Sequence, residues 1–374
     1  MIDSEIPEAD RIDGAPHPRN TVELFGQETS ERALIAAHVA GRLHHALLIT
    51  GPRGTGKATL AWRAARFLLS QDSAKREAGL FEDAPPVPNS LDVAIDAPVC
   101  RRIAALSEPR LLLIRRAWDA DRKRLKTQIT VEEVRKLGGF FGLSSADGGH
   151  RAVIIDSADE LNVSAGNALL KVLEEPPRNT TFFLISHAPA RLLPTIRSRC
   201  RELRLSALSQ THFERALSQV DLEGEVSPAL CSIAGGSVGE AIRLHSNDGA
   251  EYYRRIVELL SKCPQMDRSR ALSFAGTVAQ RGKDQHLDIA IYLLELVLSR
   301  LARMGVGHSP ATECASGETE ILVKLSPTPR VARKWAELQR EISERFRRGR
   351  DVNVDPQSLV LDALLKINET SGNS

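Results

Sequence analysis

The sequence predicts an α/β protein: a parallel sheet of the P-loop type, followed by a small helical lid and an all-helical C-terminal domain. Three observations predict this fold class. Five short apolar runs alternate with helical patterns over residues 21–205, a glycine-rich turn joins one run to a helix at residues 51–59, and only helical patterns follow residue 205. Strands that alternate with helices are typical of a parallel sheet covered on both faces.

The composition is that of a folded protein with several domains. The chain has 374 residues, of which 42% are hydrophobic and 26% are charged, which corresponds to roughly two to three globular domains. The net charge of +2 is too small to indicate a nucleic-acid or membrane partner by itself. The acidic start of the chain lacks the apolar segment of a signal peptide, and no run reaches the roughly 20 apolar residues of a membrane span. We therefore predict a cytoplasmic protein.

The elements of the α/β core follow from these runs. Residues 1–20 are expected to form a flexible tail, and the core is expected to span residues 21–205. Its strands are predicted at residues 46–50, 110–116, 151–156, 180–186 and 201–205. Its helices are predicted at residues 28–43, 58–70, 130–141, 162–175 and 189–199. Residues 71–98 are expected to be an insertion or a long loop, and the charged residues 117–127 are expected to be a solvated segment.

The remainder of the chain has the pattern of helices alone. Residues 208–244 predict three short helices, which are separated at Gly224 and at Gly235–Gly236. From residue 250 onward the apolar spacing is helical almost throughout. We therefore expect a lid at residues 206–249 and a separate helical domain at residues 250–370.

The turn after the first strand has the residue types of a phosphate-binding loop. Its glycines would let backbone amides point at phosphate oxygens, and Lys57 would reach the β- and γ-phosphates. The candidate nucleotide-binding residues are Gly51, Gly54, Gly56, Lys57 and Thr59. The position after Lys57 should carry a hydroxyl for Mg²⁺ but is Ala58, and Thr59 is rotated by about 100° on the helix. The alternative is a glycine-rich turn without a ligand.

Polar residues end two neighbouring strands, at the edge where α/β sheets bind ligands. Asp156 stands where an acid would help to hold Mg²⁺, but its neighbour is Ser157 instead of the Glu that polarises an attacking water. A hydroxyl is not a base near neutral pH without an activating partner. The alternative is that Asp156 only caps a turn. Ser186 and His187 end the next strand and are sensor-like candidates at the same edge.

Arg199 ends a short predicted helix. An arginine exposed at such a position can enter a neighbouring subunit's nucleotide site and stabilise the transferring phosphoryl group, which is worth on the order of 10³–10⁵ in rate. The planar, permanently charged guanidinium suits this role better than an ammonium group. The alternative is a solvated surface arginine.

Two segments carry a resemblance to a known family. Residues 167–177 (Asn-Ala-Leu-Leu-Lys-Val-Leu-Glu-Glu-Pro-Pro) and residues 191–200, which end in Ser-Arg-Cys, are together similar to the AAA+ subunits of DNA sliding-clamp loaders. Residues 43–46 and 352–356 fit as well. The resemblance implies an AAA+ core, a helical lid and a collar domain that holds a five-subunit ring together. It also implies clamp-loader ATPase subunits and a delta subunit as partners, with the sliding clamp and primer–template DNA bound through the complex, and no membrane.

Three departures from the family pattern indicate the kind of member. Ala58 and Ser157 are two of them, and Gly239 stands where the lid usually carries a nucleotide-sensing arginine. Because Arg199 is retained, the resemblance implies a non-hydrolysing subunit of the bacterial DNA polymerase III clamp loader. Arg199 would then act in trans, as an arginine finger on an adjacent subunit's ATP. ATP would be bound by this chain, if at all, without hydrolysis.

Cysteine usage gives no support for a metal centre. The five cysteines include no Cys-x-x-Cys pair, so neither a disulfide framework nor a zinc site is expected. Members of the family often carry a four-cysteine zinc module between the two nucleotide motifs. Only Cys100 lies there in this chain, and we therefore predict no zinc.

Two other functions remain open. The chain could be an active ATPase (motor) subunit of the same complex, which Lys57 and the loop glycines favour and the three departures oppose. It could also be a DNA-binding module that uses the basic residues 101–126 and 340–350. Runs of charge are more often solvated faces than binding sites.

Overall fold

The computed structural model describes residues 7–12, 14–77, 87–142, 149–220, 222, 226–280, 282 and 284–372. The chain divides into two compact units, Met1–Asp221 with Ser237–Gly239, and Leu222–Gly236 with Glu240–Ser374. Residues 206–220 therefore lie in the first unit. A lid at residues 206–249 and a collar at residues 250–370 stay predictions.

The first unit is built on a parallel sheet. Its strands are β1 Ala46–Thr50, β2 Leu111–Arg115, β3 Trp118–Asp119, β4 Arg124–Leu125, β5 Arg151–Asp156, β6 Thr180–Ser186 and β7 Arg201–Arg204. Five of them form one sheet in the order β2-β5-β6-β1-β7, and every neighbouring pair is parallel. This confirms the predicted α/β fold class with a parallel sheet.

Helices cover both faces of this sheet. The helices among the described residues of this unit are α1 Glu28–Val39, α2 Lys57–Glu77, α3 Pro98–Ala104, α4 Val131–Gly142, α5 Val163–Glu174, α6 Pro194–Arg197 and α7 Gln210–Leu217. Phe183 and Ile185 of β6 belong to the core formed with α1 and α2, whereas Phe182 and Leu184 belong to the core formed with α4 and α5. Because successive strand residues point to opposite faces, a strand covered on both faces is apolar along its whole length.

The register of the sheet aligns the carboxyl ends of its strands. Arg115 pairs with Asp156, and Asp156 pairs with Ile185. Thr50 pairs with Ser186 on one side and with Arg204 on the other. The polar residues that end β5 and β6 therefore lie at the same edge as the loop that follows β1.

Helices are the regular elements among the described residues of the second unit. Its helices are α8 Pro228–Ala234, most of α9 Val238–His245, α10 Gly249–Ser261, α11 Arg268–Val278, α12 Asp284–Met304, α13 Glu318–Leu325, α14 Pro329–Asp351 and α15 Pro356–Gly372. Prolines in the first turn of α14 and α15 follow Thr328 and Asp355, whose side-chain oxygens accept from backbone amides of Val331 and Ser358. No helix in the described part of the chain is both long and apolar enough to span a membrane.

Several predicted elements differ from the observed ones. Helix α2 continues to Glu77, through residues that were expected to be loop, and α3 begins at Pro98, where that stretch ends. The part at residues 78–86 lies outside the described residues. The segment expected to be solvated at residues 117–127 contains the antiparallel β3–β4 pair. The helix expected at residues 189–199 is two short helical turns, of which α6 is the second.

A flexible N-terminal tail at residues 1–20 stays a prediction, although residues 7–12 and 14–20 contact distant parts of the chain. The side chain of Asp10 is fully buried and forms an ion pair with Arg115. His17 is buried as well. These residues lack the apolar periodicity of a helix or strand, and their order comes from contacts with distant parts of the chain.

Candidate functional site at the carboxyl edge of the sheet

The loop between β1 and α2 is shaped by three glycines. Gly51, Gly54 and Gly56 have φ values of +140°, +70° and +92°. A Cβ atom at Gly51 would lie 2.3 Å from Leu205 O, and one at Gly56 would lie 2.5 Å from Leu24 Cδ1. Only glycine fits such positions. The fold itself therefore requires these glycines, and their presence alone does not indicate a bound phosphate.

Lys57 is held by the loop in which it lies. Its side chain is buried, and Nζ donates to Gly51 O at 2.9 Å and to Pro52 O. Burial lowers the pKa of Lys57 to about 8, against the opposing effect of the Asp156 and Asp159 carboxylates. A phosphate that entered the loop would have to replace these two backbone carbonyls as the hydrogen-bond acceptors of the Lys57 ammonium group.

The first turn of α2 lacks the expected magnesium ligand. Ala58 packs against the apolar core and has no hydroxyl to offer. Thr59 is half-buried at the next position of the helix. Sequence reasoning missed Thr55, whose buried hydroxyl donates to Pro52 O at 2.9 Å and fixes the shape of the loop.

Asp156, Ser157 and His187 form a hydrogen-bonded group beside the loop. Ser157 Oγ donates to Asp156 Oδ1 at 3.0 Å and lies 3.0 Å from His187 Nε2. A hydroxyl has one proton, so the imidazole donates from Nε2 to Ser157. Asp159 Oδ1 accepts from the backbone amide of His187 at 2.9 Å. Ser186 is fully buried, and its Oγ has no hydrogen-bond partner among the described residues.

The electrostatics of this group do not favour a divalent cation. Burial, and after it the nearby Asp10 carboxylate, raise the pKa of Asp156 to about 7. Burial, followed by the positive charges of Lys57 and Arg53, lowers the pKa of His187 to about 3, so its imidazole is neutral at physiological pH. A carboxyl group that ionises only near neutral pH attracts Mg²⁺ less than an ordinary aspartate does.

The segment Ser237–Gly239 packs directly on the loop. Ser237 Oγ donates to Arg53 O at 2.7 Å, and the Gly239 amide donates to Gly54 O at 3.3 Å. A Cβ atom at Gly239 would lie 2.9 Å from Gly54 Cα and 2.8 Å from Ile12 Cδ1. The position at which the family usually carries a sensing arginine therefore has no room for a side chain.

Arg199 lies just beyond the end of α6. Its Nη2 forms an ion pair with Glu174 Oε1 at 2.8 Å, and its Nη1 donates to Thr195 O at 3.1 Å. The side chain is 37% exposed. Among the described residues, these contacts do not join Arg199 to Lys57 or Asp156. The structure therefore brings the loop, Asp156, Ser186 and His187 to one edge and leaves Arg199 outside that group.

Comparison with known proteins gives the family that this chain resembles. A family model described as DNA polymerase III, delta subunit, matches residues 26–209. The chain is 35% identical over 222 residues to the DNA polymerase III subunit delta' of Pseudomonas aeruginosa, which covers 58% of this chain and 61% of that protein. The chain is thus similar to DNA polymerase III delta' subunits over part of its length. It is also 30% identical over 229 residues to the delta' subunit of Escherichia coli (61% and 62% covered).

The matched length is limited, and further matches have lower sequence identity. The chain spans about three fifths of the length of the delta' relatives that it matches. The DNA polymerase III subunit gamma/tau of Mycobacterium tuberculosis is 29% identical over 232 residues, which cover 59% of this chain and 35% of that protein. Among solved structures, a gamma subunit-related protein of Thermotoga maritima has 16% identity and a TM-score of 0.35, with 92% and 99% of the two chains covered. The RuvB branch migration motor of the same organism has 17% identity and a TM-score of 0.36, with 78% and 82% covered.

The zinc prediction stays a prediction. In the described ranges, no group of three or more His, Cys, Asp or Glu side chains is arranged to hold a metal ion. All five cysteines are free thiols. Burial raises the pKa of the Cys200 thiol, next to Arg199, to about 12, so this sulfur is not a ready metal ligand.

Proposed function

We propose that this chain is a non-hydrolysing clamp-loader subunit of the replicative DNA polymerase holoenzyme, which donates Arg199 in trans to the ATP site of a neighbouring ATPase subunit during loading of the sliding clamp on DNA. Its partners would be clamp-loader ATPase subunits and a delta subunit in a five-subunit ring. The sliding clamp and primer–template DNA would be bound through that complex. It would act in the cytoplasm, where free thiols remain reduced.

The placement of Arg199 supports the trans role more than any other single observation. The guanidinium is partly exposed beyond the end of α6, and Glu174 on α5 holds it in one orientation. An exposed ion pair of this kind is worth only about 0–1 kcal/mol. The Arg199 guanidinium can therefore leave Glu174 for a partner's triphosphate at little cost in free energy. Before the partner binds, the ion pair keeps the guanidinium oriented.

The chain's own site supports the non-hydrolysing role. Ala58 supplies no magnesium ligand, and Ser157 gives its single proton to Asp156. Neither Ser157 nor the neutral His187 resembles the carboxylate that polarises water in hydrolytic members. No step of ATP hydrolysis can therefore be assigned to the residues of this site.

The test is ATP turnover in the reconstituted loader, stimulated by clamp and primer–template DNA. We expect Arg199→Ala to lower turnover by a large factor, up to the order of 10³ or more if the finger is fully engaged. Arg199→Lys should remain defective because an ammonium group cannot bridge phosphate oxygens as a planar guanidinium does. The matched control is Arg197→Ala, at an exposed arginine two residues before Arg199. Undiminished turnover with Arg199→Ala would contradict the trans role.

The second candidate is an active ATPase subunit of the same complex. Lys57 at the start of α2 and the similarity to gamma/tau subunits favour it. ATP turnover by the purified chain alone separates the two functions. A robust rate that Lys57→Ala abolishes would establish the ATPase, whereas we expect no turnover above background.

The structure gives little support to a DNA-binding module at residues 340–350. Arginines 345, 348 and 350 of α14 form ion pairs with Asp362, Glu344 and Asp288. Paired guanidinium groups are less available to phosphates than free ones.

A further inference from the structure

The two edge strands of the parallel sheet differ in the residues that they expose. One edge strand is β7, in which Arg201, Glu202 and Arg204 are exposed. The other is β2, in which the three leucines at residues 111–113 are only half-buried. Exposed edge strands are usually short or charged, because an apolar edge pairs readily with another chain. Charged side chains therefore protect β7, whereas β2 presents an apolar edge to a further strand.

The backbone of β2 also has hydrogen-bonding groups that point away from the sheet. Arg110 O accepts from Ala152 N of β5 at 2.9 Å. Because successive residues of a strand turn their backbone groups to opposite sides, Leu112 and Ile114 face β5 and Leu113 faces outward. In the described part of the chain, no hydrogen bond joins the amide or carbonyl of Leu113 to another segment. Both groups are therefore available to pair with an added strand.

This outer side of β2 lies in an open cleft of about 790 Å³. The cleft is lined by the leucines at residues 111–113, by Trp118 and by two residues of α4. Leu112 packs against the core formed with α4 and α5, whereas the other two leucines pack against the core formed with α1 and α2. The side chains of an added strand alternate in the same way. Apolar residues on both faces of that strand would therefore cover the leucines that β2 leaves half-buried.

The hairpin that follows β2 gives one end of the cleft a positive charge. It is formed by β3 and β4, and Trp118, its first residue, lines the cleft. Residues 119–126 carry four basic and two acidic side chains. Among the described residues, Lys123 and Arg124 are exposed and have no ion-pair partner. These charges complement a peptide with carboxylates at the end that lies beside the hairpin.

We propose that the outer edge of β2 is a docking site for an extended peptide of a partner protein, which adds a sixth strand to the five-stranded sheet. The peptide is apolar within the cleft and acidic beside the β3–β4 hairpin. Backbone hydrogen bonds to β2 supply affinity, and the leucines and the hairpin supply selectivity. This inference goes beyond the proposed clamp-loader role, and it depends neither on Arg199 nor on a nucleotide.

Fluorescence anisotropy of labelled peptides with the full-length chain tests the proposal. One probe alternates valine and isoleucine and ends in aspartates at its carboxyl end, and a second carries the aspartates at its amino end, because an added strand can run in either direction. We expect at least one probe to bind. The same peptide with lysines in place of the aspartates should bind weaker by about tenfold or more, because like charges then meet at the hairpin.

Methylation of the peptide amides gives a signature of strand addition. The amides of the valines and those of the isoleucines lie on opposite edges of an extended peptide. Methyl groups on the edge that pairs with β2 should abolish binding, whereas methyl groups on the other edge should leave it unchanged. Equal effects of the two sets would contradict strand addition.

Variants of the chain locate the site. Leu113→Pro removes the outward amide, and an edge strand tolerates proline where the N–H faces away from its neighbour. We expect this variant to keep the native helix content by circular dichroism and to bind the aspartate probe weaker by about tenfold. Arg124→Glu, at an exposed position of the hairpin, should weaken binding of the aspartate probe and strengthen that of the lysine probe. Arg201→Glu, at an exposed position of the opposite edge strand, is the matched control and should bind like wild type.

Three results would overturn the proposal. One is the absence of binding by both aspartate probes. Another is a wild-type chain that sediments as a dimer and that Leu113→Pro converts to a monomer, because the occupant of the edge would then be a second copy of this chain. The third is binding of a labelled single-stranded oligonucleotide, lost in Arg124→Glu, without any binding of the peptides, which would assign the hairpin to nucleic acid.

Discussion

Replacing Gly239 with alanine is expected to destabilise the first unit, although the same change stabilises most helices. Gly239 lies in the first turn of α9, where alanine would ordinarily gain up to about 0.5–1 kcal/mol over glycine. The added methyl would lie 2.8 Å from Ile12 Cδ1 and 2.9 Å from Gly54 Cα. The isoleucine tip can turn away, but Gly54 is backbone and is held by the hydrogen bond from Gly239.

The magnitude follows from these two opposing effects. Overpacking against a backbone that cannot move costs about 1–3 kcal/mol, which exceeds the gain in helix propensity. We expect a net loss of about 1–2 kcal/mol, and urea denaturation should show it as a lower midpoint by about 0.5–1 M. Gly138→Ala is the matched control, since Gly138 is exposed within α4 and a Cβ atom there meets nothing within 4 Å. That variant should be more stable than wild type by about 0.5–1 kcal/mol. If Gly239→Ala were as stable as wild type, the close approach of Ser237–Gly239 to the loop would be refuted.

Two further predictions concern buried charge. Changing Glu318 to alanine should lower the free energy of unfolding by about 3–5 kcal/mol. Glu318 is fully buried and pairs with Arg300 at 2.6 Å, so its removal leaves the Arg300 charge buried and uncompensated. Glu258→Ala breaks an exposed ion pair with Arg254. This change should lower the free energy of unfolding by less than about 1 kcal/mol in the same denaturation assay. Equal losses for the Glu318 and Glu258 variants would contradict this reasoning. Burial raises the pKa of Asp156 to about 7. Between about pH 4 and 7 the native state therefore retains a proton on Asp156 that the unfolded state has lost. This residue makes the free energy of unfolding fall as pH rises through that range. We therefore expect the free energy of unfolding of Asp156→Asn, measured relative to wild type, to be higher at pH 8 than at pH 5. If this difference were the same at both pH values, Asp156 would ionise normally.

The core could be predicted from the sequence because its strands are covered on both faces. Thr180–Ser186 is apolar or β-branched at nearly every position, and the observed strand β6 has those bounds. The alignment of Asp156 with Ser186 at one edge followed from parallel pairing alone. Helix α2 was predicted too short because the polar residues after Ser70 have no apolar periodicity, yet nothing in them stops a helix already begun by the buried Trp62 and Phe67.

The burial of Asp10 could not be predicted in this way. Asp10 and Arg115 are 105 residues apart in the chain, and neither belongs to a recognisable motif. An acidic, proline-containing stretch looks solvated in the sequence, and only tertiary ion pairs bury it. The same limit applies to Gly239: the sequence shows that an arginine is missing there, whereas the contact with Gly54 explains why none fits.

A cryo-EM structure of the reconstituted clamp loader with a non-hydrolysable ATP analogue tests the central claim most directly. The account predicts that the Arg199 guanidinium leaves Glu174 and lies within hydrogen-bond distance of the γ-phosphate bound by the neighbouring subunit. A map in which Arg199 stays paired with Glu174, remote from every bound nucleotide, would contradict it.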